Sequence, residues 1–180
     1  HPHIVRFISS SYSSGSSPPI IAFEFLEEGD MENYISANLN STTITKGEAK
    51  MARCIGLALE YLQSKGFIHQ DIKPENCLLM RGGGAKLGDF GSALKLTPAQ
   101  SLSIEDINCG TNMYMGGDKI YALLHSAKGS HIHNHNQVYR FDVDSLVLTL
   151  YALWVKLVPY QLPTKVTHTA QRHYINNVAN

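Results

Sequence analysis

The sequence predicts an α+β fold in which short strands come first and longer helices follow. Two stretches near the start are rich in β-branched and aromatic residues, a helix pattern with clear capping signals begins near residue 45, and an almost wholly apolar stretch follows residue 142. Hydrophobic residues make up 43% of the 180 residues and charged residues 17%, which suits one packed domain or a large part of one.

The first two strands are predicted in "HIVRFISS" and "PPIIAFEFLEE". The stretch "SYSSGSSPP" between them has the composition of a turn or loop, so the order is strand, loop, strand. Gly29 ends the second strand, and Asp30 can cap a short helix through "MENYISANL".

The next helix has the clearest start and stop signals. Thr45 and Glu48 fit a capping box, and Gly66 is placed to end the helix. The apolar residues at helical spacing between these signals are Met51, Ile55, Ala58 and Leu62.

Two short strands are predicted in "FIH" and "CLLM", and "RGGGA" turns the chain into "KLGDF". Asp71 and Asp89 therefore lie at opposite ends of a strand–turn–strand unit that could bring them together. Apolar residues show no sustained helical or strand periodicity from Gly91 to Asp118, which predicts a long loop. Long ordered loops are often functional.

The C-terminal third is predicted to hold a short helix in "DKIYALLHSA", an exposed insertion in "KGSHIHNHNQ" and a central helix in "DVDSLVLTLYALWVKLV". The most apolar part of that helix contains Lys156 and is too short to span a bilayer. His131, His133 and His135 alternate and could face one side, but no Cys or carboxylate is beside them, so a solvated loop is favoured over a zinc site.

Charge and cysteine content exclude several classes of protein. Lys+Arg and Asp+Glu both number 15, so the chain offers no electrostatic footprint for nucleic acid or an anionic membrane, and neither is expected as a partner. Cys54, Cys77 and Cys109 are odd in number, which is typical of thiols in a reducing compartment. With no signal peptide visible at the start, we expect an intracellular, cytoplasmic location.

Four polar residues form a set that suits phosphoryl transfer. That reaction needs a carboxylate to orient the attacking hydroxyl, a cation near the transferred phosphate and oxygen ligands for Mg²⁺. The residues that could supply these groups are Asp71, Lys73, Asn76 and Asp89.

These residues lie in motifs that resemble those of eukaryotic protein kinases. "HQDIKPEN" is similar to the catalytic loop of that family, "GDFG" to its metal-binding motif and "CGTNMY" to its peptide-docking loop. The lysine in "DIKPEN" resembles the serine/threonine-specific branch, and the resemblance runs from His1 to about Tyr160.

The resemblance implies a two-lobed protein kinase-like fold, mostly the helical C-lobe with a remnant of the N-lobe sheet. Residues 1–26 would hold the last two N-lobe strands and the hinge. Residues 27–180 would form a C-lobe truncated after the central helix, with an insertion at about 119–139. The glycine-rich loop and strand lysine of the family are absent from these residues, so we expect the 180-residue chain alone to be inactive and prone to aggregate.

The resemblance also implies the role of each site residue. Asp71 would be the catalytic base, Lys73 would neutralise charge on the γ-phosphate, and Asn76 and Asp89 would hold Mg²⁺. Phe23 resembles the gatekeeper, after which the backbone of the hinge would bind the adenine edge. The residues expected to bind ATP are Glu24, Leu26, Asp30, Lys73, Asn76, Leu78 and Asp89.

Other residues would support the site. His69 and Phe90 would pack in a hydrophobic column with Phe7, Thr111 would bridge the catalytic Asp and Lys, and Asp142 would open the central helix and pin the catalytic loop. ATP, Mg²⁺, a protein substrate and regulatory protein partners are the implied ligands.

Two departures from the family pattern bear on regulation. Gln70 stands where the family usually has an arginine that pairs with a phosphorylated loop, so activation by loop phosphorylation is disfavoured. "MYMGGD" replaces the usual Y-x-A-P-E, and its two glycines are expected to loosen the segment, with Asp118 in place of the glutamate.

Three functions fit the sequence. The leading hypothesis is a serine/threonine protein kinase, and the alternatives are a pseudokinase scaffold without turnover and a small-molecule phosphotransferase of the kinase-like fold. The "GGD" substitution favours the scaffold, whereas the complete set of four polar residues argues for catalysis.

Overall fold

A computed structural model describes residues 1–12, 18–97, 101–127, 129–132 and 134–157. The helices within these ranges are α1 (Met31–Ala37), α2 (Lys46–Ser64), α3 (Gly117–His125) and α4 (His135–Val155). The strands are β1 (Phe7–Ser11), β2 (Ile20–Phe23), β3 (Phe67–Ile68), β4 (Cys77–Leu79), β5 (Ala85–Leu87), β6 (Leu94–Lys95), β7 (Leu102–Ser103) and β8 (His131–Ile132). The predicted α+β class is confirmed.

Strands β1 and β2 form an antiparallel pair in which Phe7 faces Phe23, as the first two β-rich stretches predict. The chain just before β1 is joined to β5 by hydrogen bonds from the Val5 amide to the Leu87 carbonyl (2.9 Å) and from the Leu87 amide to the His3 carbonyl (2.9 Å). These bonds attach the β1–β2 pair to the rest of the described structure.

The helix starts predicted from capping residues are confirmed. The Asp30 side chain accepts the Asn33 amide (2.8 Å) at the start of α1. At the start of α2, the Thr45 hydroxyl accepts the Glu48 amide (3.1 Å), and the Glu48 carboxylate accepts the Thr45 amide (2.8 Å). Gly66 follows α2 with φ +76°, a left-handed conformation that suits glycine.

Strands β4 and β5 pair antiparallel, and β5 packs against α2. The turn between them contains Gly82, Gly83 and Gly84, all at positive φ, which allows the chain to reverse tightly. The pairing continues beyond the strands, because the Gly88 amide donates to the Asn76 carbonyl (2.8 Å). The hairpin therefore brings Asn76 beside the segment that carries Asp89.

The prediction of a structureless loop from Gly91 to Asp118 is wrong in part. Strand β6 pairs with β3, β7 pairs with β8, and a 3₁₀ turn spans Asn112–Tyr114. Strand β8 lies within "KGSHIHNHNQ", so that stretch is tied to the 91–118 segment rather than purely an exposed insertion. Lys128 and His133 lie outside the described residues.

The predicted short helix in "DKIYALLHSA" is confirmed as α3, and the predicted central helix as α4. Helix α4 begins at His135, so the expectation that Asp142 opens it is wrong; Asp142 lies inside the helix and is buried. The sequence obscured this start because the residues before Asp142 are polar and histidine-rich.

Two apolar clusters form the core of the described structure. One is built around α2, β4 and β5 with Leu153 of α4, and the other joins Ile68, Leu102 and Phe141. Within the ranges given above, no helix is long and apolar enough to cross a membrane. The proposed domain boundaries at residues 26 and 27 and the insertion at about 119–139 stay predictions.

Candidate active site

A carboxylate from α4 fixes the backbone that leads into the site. Asp142 is buried, and its two oxygens accept the amides of His69 (2.6 Å) and Gln70 (2.8 Å). Burial raises the pKa of Asp142, and the two amide donors oppose that rise. Gln70 has φ +71°, a rare conformation for a residue other than glycine, and these bonds help to hold it. The expected contact between Asp142 and the catalytic loop is confirmed.

Asp71 lies at the centre of a hydrogen-bonded group. Its carboxylate forms an ion pair with the Lys73 ammonium (2.9 Å) and accepts the Thr111 hydroxyl (2.8 Å). Lys73 also donates to the Thr111 hydroxyl oxygen (2.8 Å), which closes a triangle of contacts. The Asn76 amide nitrogen donates to the Asp71 carbonyl (2.7 Å) and carboxylate (3.2 Å). The structure therefore brings three of the four predicted polar residues together, and Thr111 bridges Asp71 and Lys73 as expected.

These contacts set the charge of Asp71. Burial acts to raise the pKa of the Asp71 carboxyl, but hydrogen bonds from Lys73 and Thr111 outweigh burial, and the net pKa is lowered. Asp71 is therefore ionised at neutral pH, and its orientation is fixed by three neighbouring side chains.

His69 is a neutral link between the two halves of the site. Its Nδ1 accepts the Asp71 amide (3.3 Å), so its proton lies on Nε2, which donates to the Gly88 carbonyl (2.9 Å). Burial lowers the pKa of His69, in keeping with an uncharged ring. The ring meets Phe90 edge-on with 5.0 Å between centroids, which confirms that contact. Phe7 instead contacts Phe23, and 54% of its surface is exposed.

Asp89 lies at the open side of the site. It is exposed, adopts φ +53°, and accepts the Gly91 amide through Oδ1 (3.2 Å). The Asn76 amide nitrogen is committed to Asp71, so its Oδ1 is the atom left for a cation. One carboxylate and one amide oxygen fit Mg²⁺, which takes few protein ligands and keeps water or phosphate in the other positions. Among the described residues, no group of three or more His, Cys, Asp or Glu could hold a metal, so a multi-ligand metal centre is not indicated there.

The expected adenine-binding segment follows β2. The Glu24 amide donates to the Arg6 carbonyl (2.9 Å), and the Glu24 carboxylate pairs with Lys86 (2.6 Å). The hydrogen bond from Lys86 lowers the pKa of Glu24. The Glu24 carbonyl and the Leu26 backbone are the atoms through which this segment would meet a base, and that role stays a prediction.

Asp30 and Leu78 are neighbours across an antiparallel bridge. This agrees with a shared ligand, yet both carboxylate oxygens of Asp30 already bond Asn33, to its amide (2.8 Å) and its side chain (3.0 Å). A ribose hydroxyl would therefore compete with a helix cap for Asp30.

Sequence reasoning missed Lys119. This lysine is 2% exposed and donates to the Cys109 carbonyl (2.8 Å). A signal did exist, because Lys119 precedes Ala122 and Leu123 by three and four positions and so shares their apolar helix face. A lysine in that pattern usually places its ammonium in water, so burial could not be assumed.

The comparison with protein families identifies the fold. The model of the protein kinase domain matches residues 1–179. The chain is 33% identical over 132 residues to the serine/threonine-protein kinase ATG1a of Arabidopsis thaliana, a match that covers 71% of this chain and 20% of that protein. It is 28% identical over 168 residues to the serine/threonine/tyrosine-protein kinase HT1 of the same plant, covering 92% of this chain and 38% of HT1.

A third relative is the serine/threonine-protein kinase MST20 of Pyricularia oryzae, 38% identical over 102 residues, which covers 56% of this chain and 10% of MST20. The chain therefore spans between about a tenth and two fifths of the length of these relatives. The two-lobed kinase resemblance drawn from the motifs is confirmed, and the chain belongs to the protein kinase family.

Proposed function

We propose that the protein transfers the γ-phosphoryl group of ATP to serine and threonine hydroxyls of protein substrates. The observation that carries this proposal is the triangle of Asp71, Lys73 and Thr111, in which a hydroxyl oxygen joins an ionised carboxylate and an ammonium at 2.8 Å each. A substrate hydroxyl needs both groups, one to orient it and one beside the phosphate it attacks.

Asp71 would act mainly by orienting the substrate hydroxyl and by receiving its proton late in the reaction. A carboxylate with a lowered pKa is a weak base, so early proton removal is not what this geometry favours. Lys73 would offset negative charge on the transferred group. Mg²⁺ bound to Asn76 and Asp89 would supply further charge neutralisation at the phosphates.

Preference for serine and threonine rests on two observations. The Lys73 position in "DIKPEN" resembles the serine/threonine branch, and MST20 and ATG1a are named as serine/threonine kinases. The name of HT1 includes tyrosine, and a tyrosine-protein kinase receptor is also among the relatives, so acceptor preference needs direct measurement.

A pseudokinase scaffold is the second candidate. The observation that favours it is Asp118, whose contact with Arg140 is a 3.8 Å pair between side chains that are both more than half exposed. Exposed pairs of this kind contribute little stability, so the "GGD" segment is less firmly anchored by charge than a buried pair would make it.

The test is Mg²⁺-dependent phosphorylation by the full-length protein, with serine, threonine and tyrosine peptides offered as acceptors. We expect Asp71→Asn and Asp89→Asn each to lower kcat by about 10²-fold or more, because each removes a charge used in the transition state. The matched control is Glu60→Gln, which neutralises an exposed carboxylate on α2 and should retain full activity.

Absence of turnover by a folded wild-type protein would overturn the proposal in favour of the scaffold. Equal activity of Asp71→Asn and wild type would overturn the assigned role of Asp71. Phosphotyrosine as the main product would retain the kinase and reject the serine/threonine preference.

A further inference from the structure

Lys119 lies on α3 with its whole side chain inside the protein. A buried ammonium loses its hydration and is tolerated only where polar atoms replace the lost water. Lys119 finds two backbone carbonyls, that of Cys109 (2.8 Å) and that of Gln70 (3.5 Å). The Cys109 carbonyl lies in the segment just before Thr111, and the Gln70 carbonyl belongs to the residue before Asp71. The Lys119 ammonium therefore contacts both chain segments that carry the site residues.

The surrounding charges suit a cation at this place. Burial lowers the pKa of Lys119, and the neighbouring Cys109, Asp142 and Asp71 oppose that effect. Asp142 is itself buried and needs positive charge or amide donors around it. Gln70 is neutral, and Lys119 is a buried cation whose charge acts to lower the pKa of the Asp142 carboxyl.

The backbone near Lys119 is packed too closely for any side chain. Gly110 has φ +99°, and a Cβ built on it would lie 2.3 Å from the Gln70 carbonyl oxygen and 3.6 Å from the Lys119 ammonium nitrogen. Gly110 therefore allows the chain before Thr111 to rest directly on the catalytic loop. Thr111 is the next residue, so this approach fixes where its hydroxyl meets Asp71.

Gln70 holds the other end of the same segment. Its side-chain nitrogen donates to the carbonyls of Ser92 (3.1 Å) and Asp106 (3.2 Å). Together, the Gln70 amide and the Lys119 ammonium bind three carbonyls between residues 92 and 109.

We propose that these two side chains, the Gln70–Lys119 clamp, hold the backbone at Ser92, Asp106 and Cys109 against the catalytic loop, and that Lys119 is a positioning residue for Asp71 and Thr111. The catalytic part of this inference rests on the proposed kinase function. The structural part does not, because it concerns how the segment is held.

Amide hydrogen exchange on the full-length protein tests the clamp independently of activity. In the wild type, we expect amides in peptides covering 103–111 to be protected. Lys119→Met keeps a side chain of similar length but loses the ammonium, and we expect faster exchange in those peptides. Lys119→Arg keeps a cation and should retain most of the protection.

Steady-state kinetics test the positioning role. We expect Lys119→Met to lower kcat by about ten- to a hundred-fold through displacement of reacting groups, with KM for ATP changed less than about two-fold. Recovery of most of kcat by Lys119→Arg would separate positioning from a general loss of folding. Lys46→Met, which removes an exposed ammonium from the start of α2, is the matched control and should leave both exchange and kcat unchanged.

Gln70→Leu is a second variant that tests the clamp even where the Lys119→Met protein does not fold. It removes the two amide bonds at a site of similar volume and should speed exchange near residues 92 and 106 while Lys119 stays in place. Unprotected 103–111 amides in wild type, or unchanged exchange in both Lys119→Met and Gln70→Leu, would overturn the clamp.

The two proposals can fail separately. No turnover by wild type with a protected segment would overturn the kinase function and the positioning role, and would leave the clamp as the way the segment is held. Turnover with unaltered kcat in Lys119→Met would overturn the positioning role and leave the kinase function in place.

Discussion

At the scale of single residues, the Thr111 hydroxyl determines how Asp71 is presented. It donates to one oxygen of the carboxylate and accepts from the ammonium that binds the other, so a change at Thr111 alters both partners of the ion pair. The low pKa of Asp71 depends in part on this donor.

Thr111→Val is expected to raise the pKa of Asp71 towards its ordinary value, because one hydrogen bond to the charged form is lost. In the wild type the folded-state pKa is lowered, so the active, ionised form persists as pH falls below the ordinary value for an aspartate. The acid limb of the kcat/KM profile should therefore move to higher pH in Thr111→Val. Thr111→Ser keeps the hydroxyl and should keep the wild-type limb; an unmoved limb in both variants would contradict this role.

At the scale of elements, a buried ion pair joins α2 to the end of α4. Lys156, at φ +59°, donates to the Glu48 carboxylate, and its ammonium lies 5.2 Å from the centre of the Tyr34 ring. Glu48 and Lys156 are 1% and 4% exposed, so water cannot solvate either charge if its partner is removed. Glu48 also completes the α2 capping box, so one residue fixes both the start of the helix and its docking.

Lys156→Met is expected to lower the free energy of unfolding by about 3–5 kcal/mol, because it leaves the buried Glu48 charge without its cation. The double variant Glu48→Gln/Lys156→Met removes both charges and should be more stable than Lys156→Met alone. Urea titration of the wild type, Glu48→Gln, Lys156→Met and the double variant measures the difference. A double variant as unstable as the sum of the single changes would show that the two residues act independently.

The two glycines of "GGD" have different environments. A Cβ built on Gly116 would lie 2.3 Å from the Asp144 Cβ of α4, whereas one on Gly117 would meet nothing within 4 Å. Gly116 therefore permits close packing of the α3 start on α4, and the expectation that the two glycines loosen the segment stays a prediction.

Gly116→Ala should lower the unfolding free energy by about 1–3 kcal/mol, since the backbone must move to accept the methyl group. Gly117→Ala is the matched control at the neighbouring exposed position and should change stability by less than about 1 kcal/mol, in the stabilising direction. The thermal unfolding midpoints of both variants and of the wild type measure these changes in stability. Equal midpoints for the two variants would refute the packing argument.

Some of this structure follows from local sequence signals and some does not. The start of α2 was predictable because Thr45 and Glu48 satisfy each other within one turn. The contacts of Asp71 with Lys73 and Asn76 were predictable because these residues lie close in sequence, whereas the place of the distant Thr111 followed only from the family resemblance. The two-residue strands β6, β7 and β8 were not, since their pairing is set by contacts distant in the chain. The burial of Lys119 likewise depends on how α3 docks, which no local pattern encodes.

At the scale of the whole molecule, the described structure leaves two apolar surfaces open. One is on and beside the β1–β2 pair and the other is on the outer face of α4. The exposed apolar residues of these surfaces are Phe7, Ile8, Ile20, Ile21, Phe23, Phe25, Val143, Val147, Tyr151 and Trp154. Exposed apolar side chains grouped on the same elements favour association in water.

The isolated 180-residue chain is therefore expected to self-associate at micromolar concentration and to bind a hydrophobic dye. Light scattering across a dilution series measures the association, and dye fluorescence measures the exposed surface. Phe25→Ser with Ile20→Ser should reduce both signals, since these are among the most exposed apolar side chains of the first surface. A monomer with a sharp, reversible thermal transition would contradict the expectation.

The bonds from the Gln70 amide to the Ser92 and Asp106 carbonyls also determine how this part of the molecule responds to salt. An amide carries no net charge, so dissolved ions do not screen its bonds as they screen an exposed ion pair. We therefore expect the attachment of Ser92 and Asp106 to Gln70 to be retained as ionic strength rises, a tolerance that a charged contact at the same place would not give.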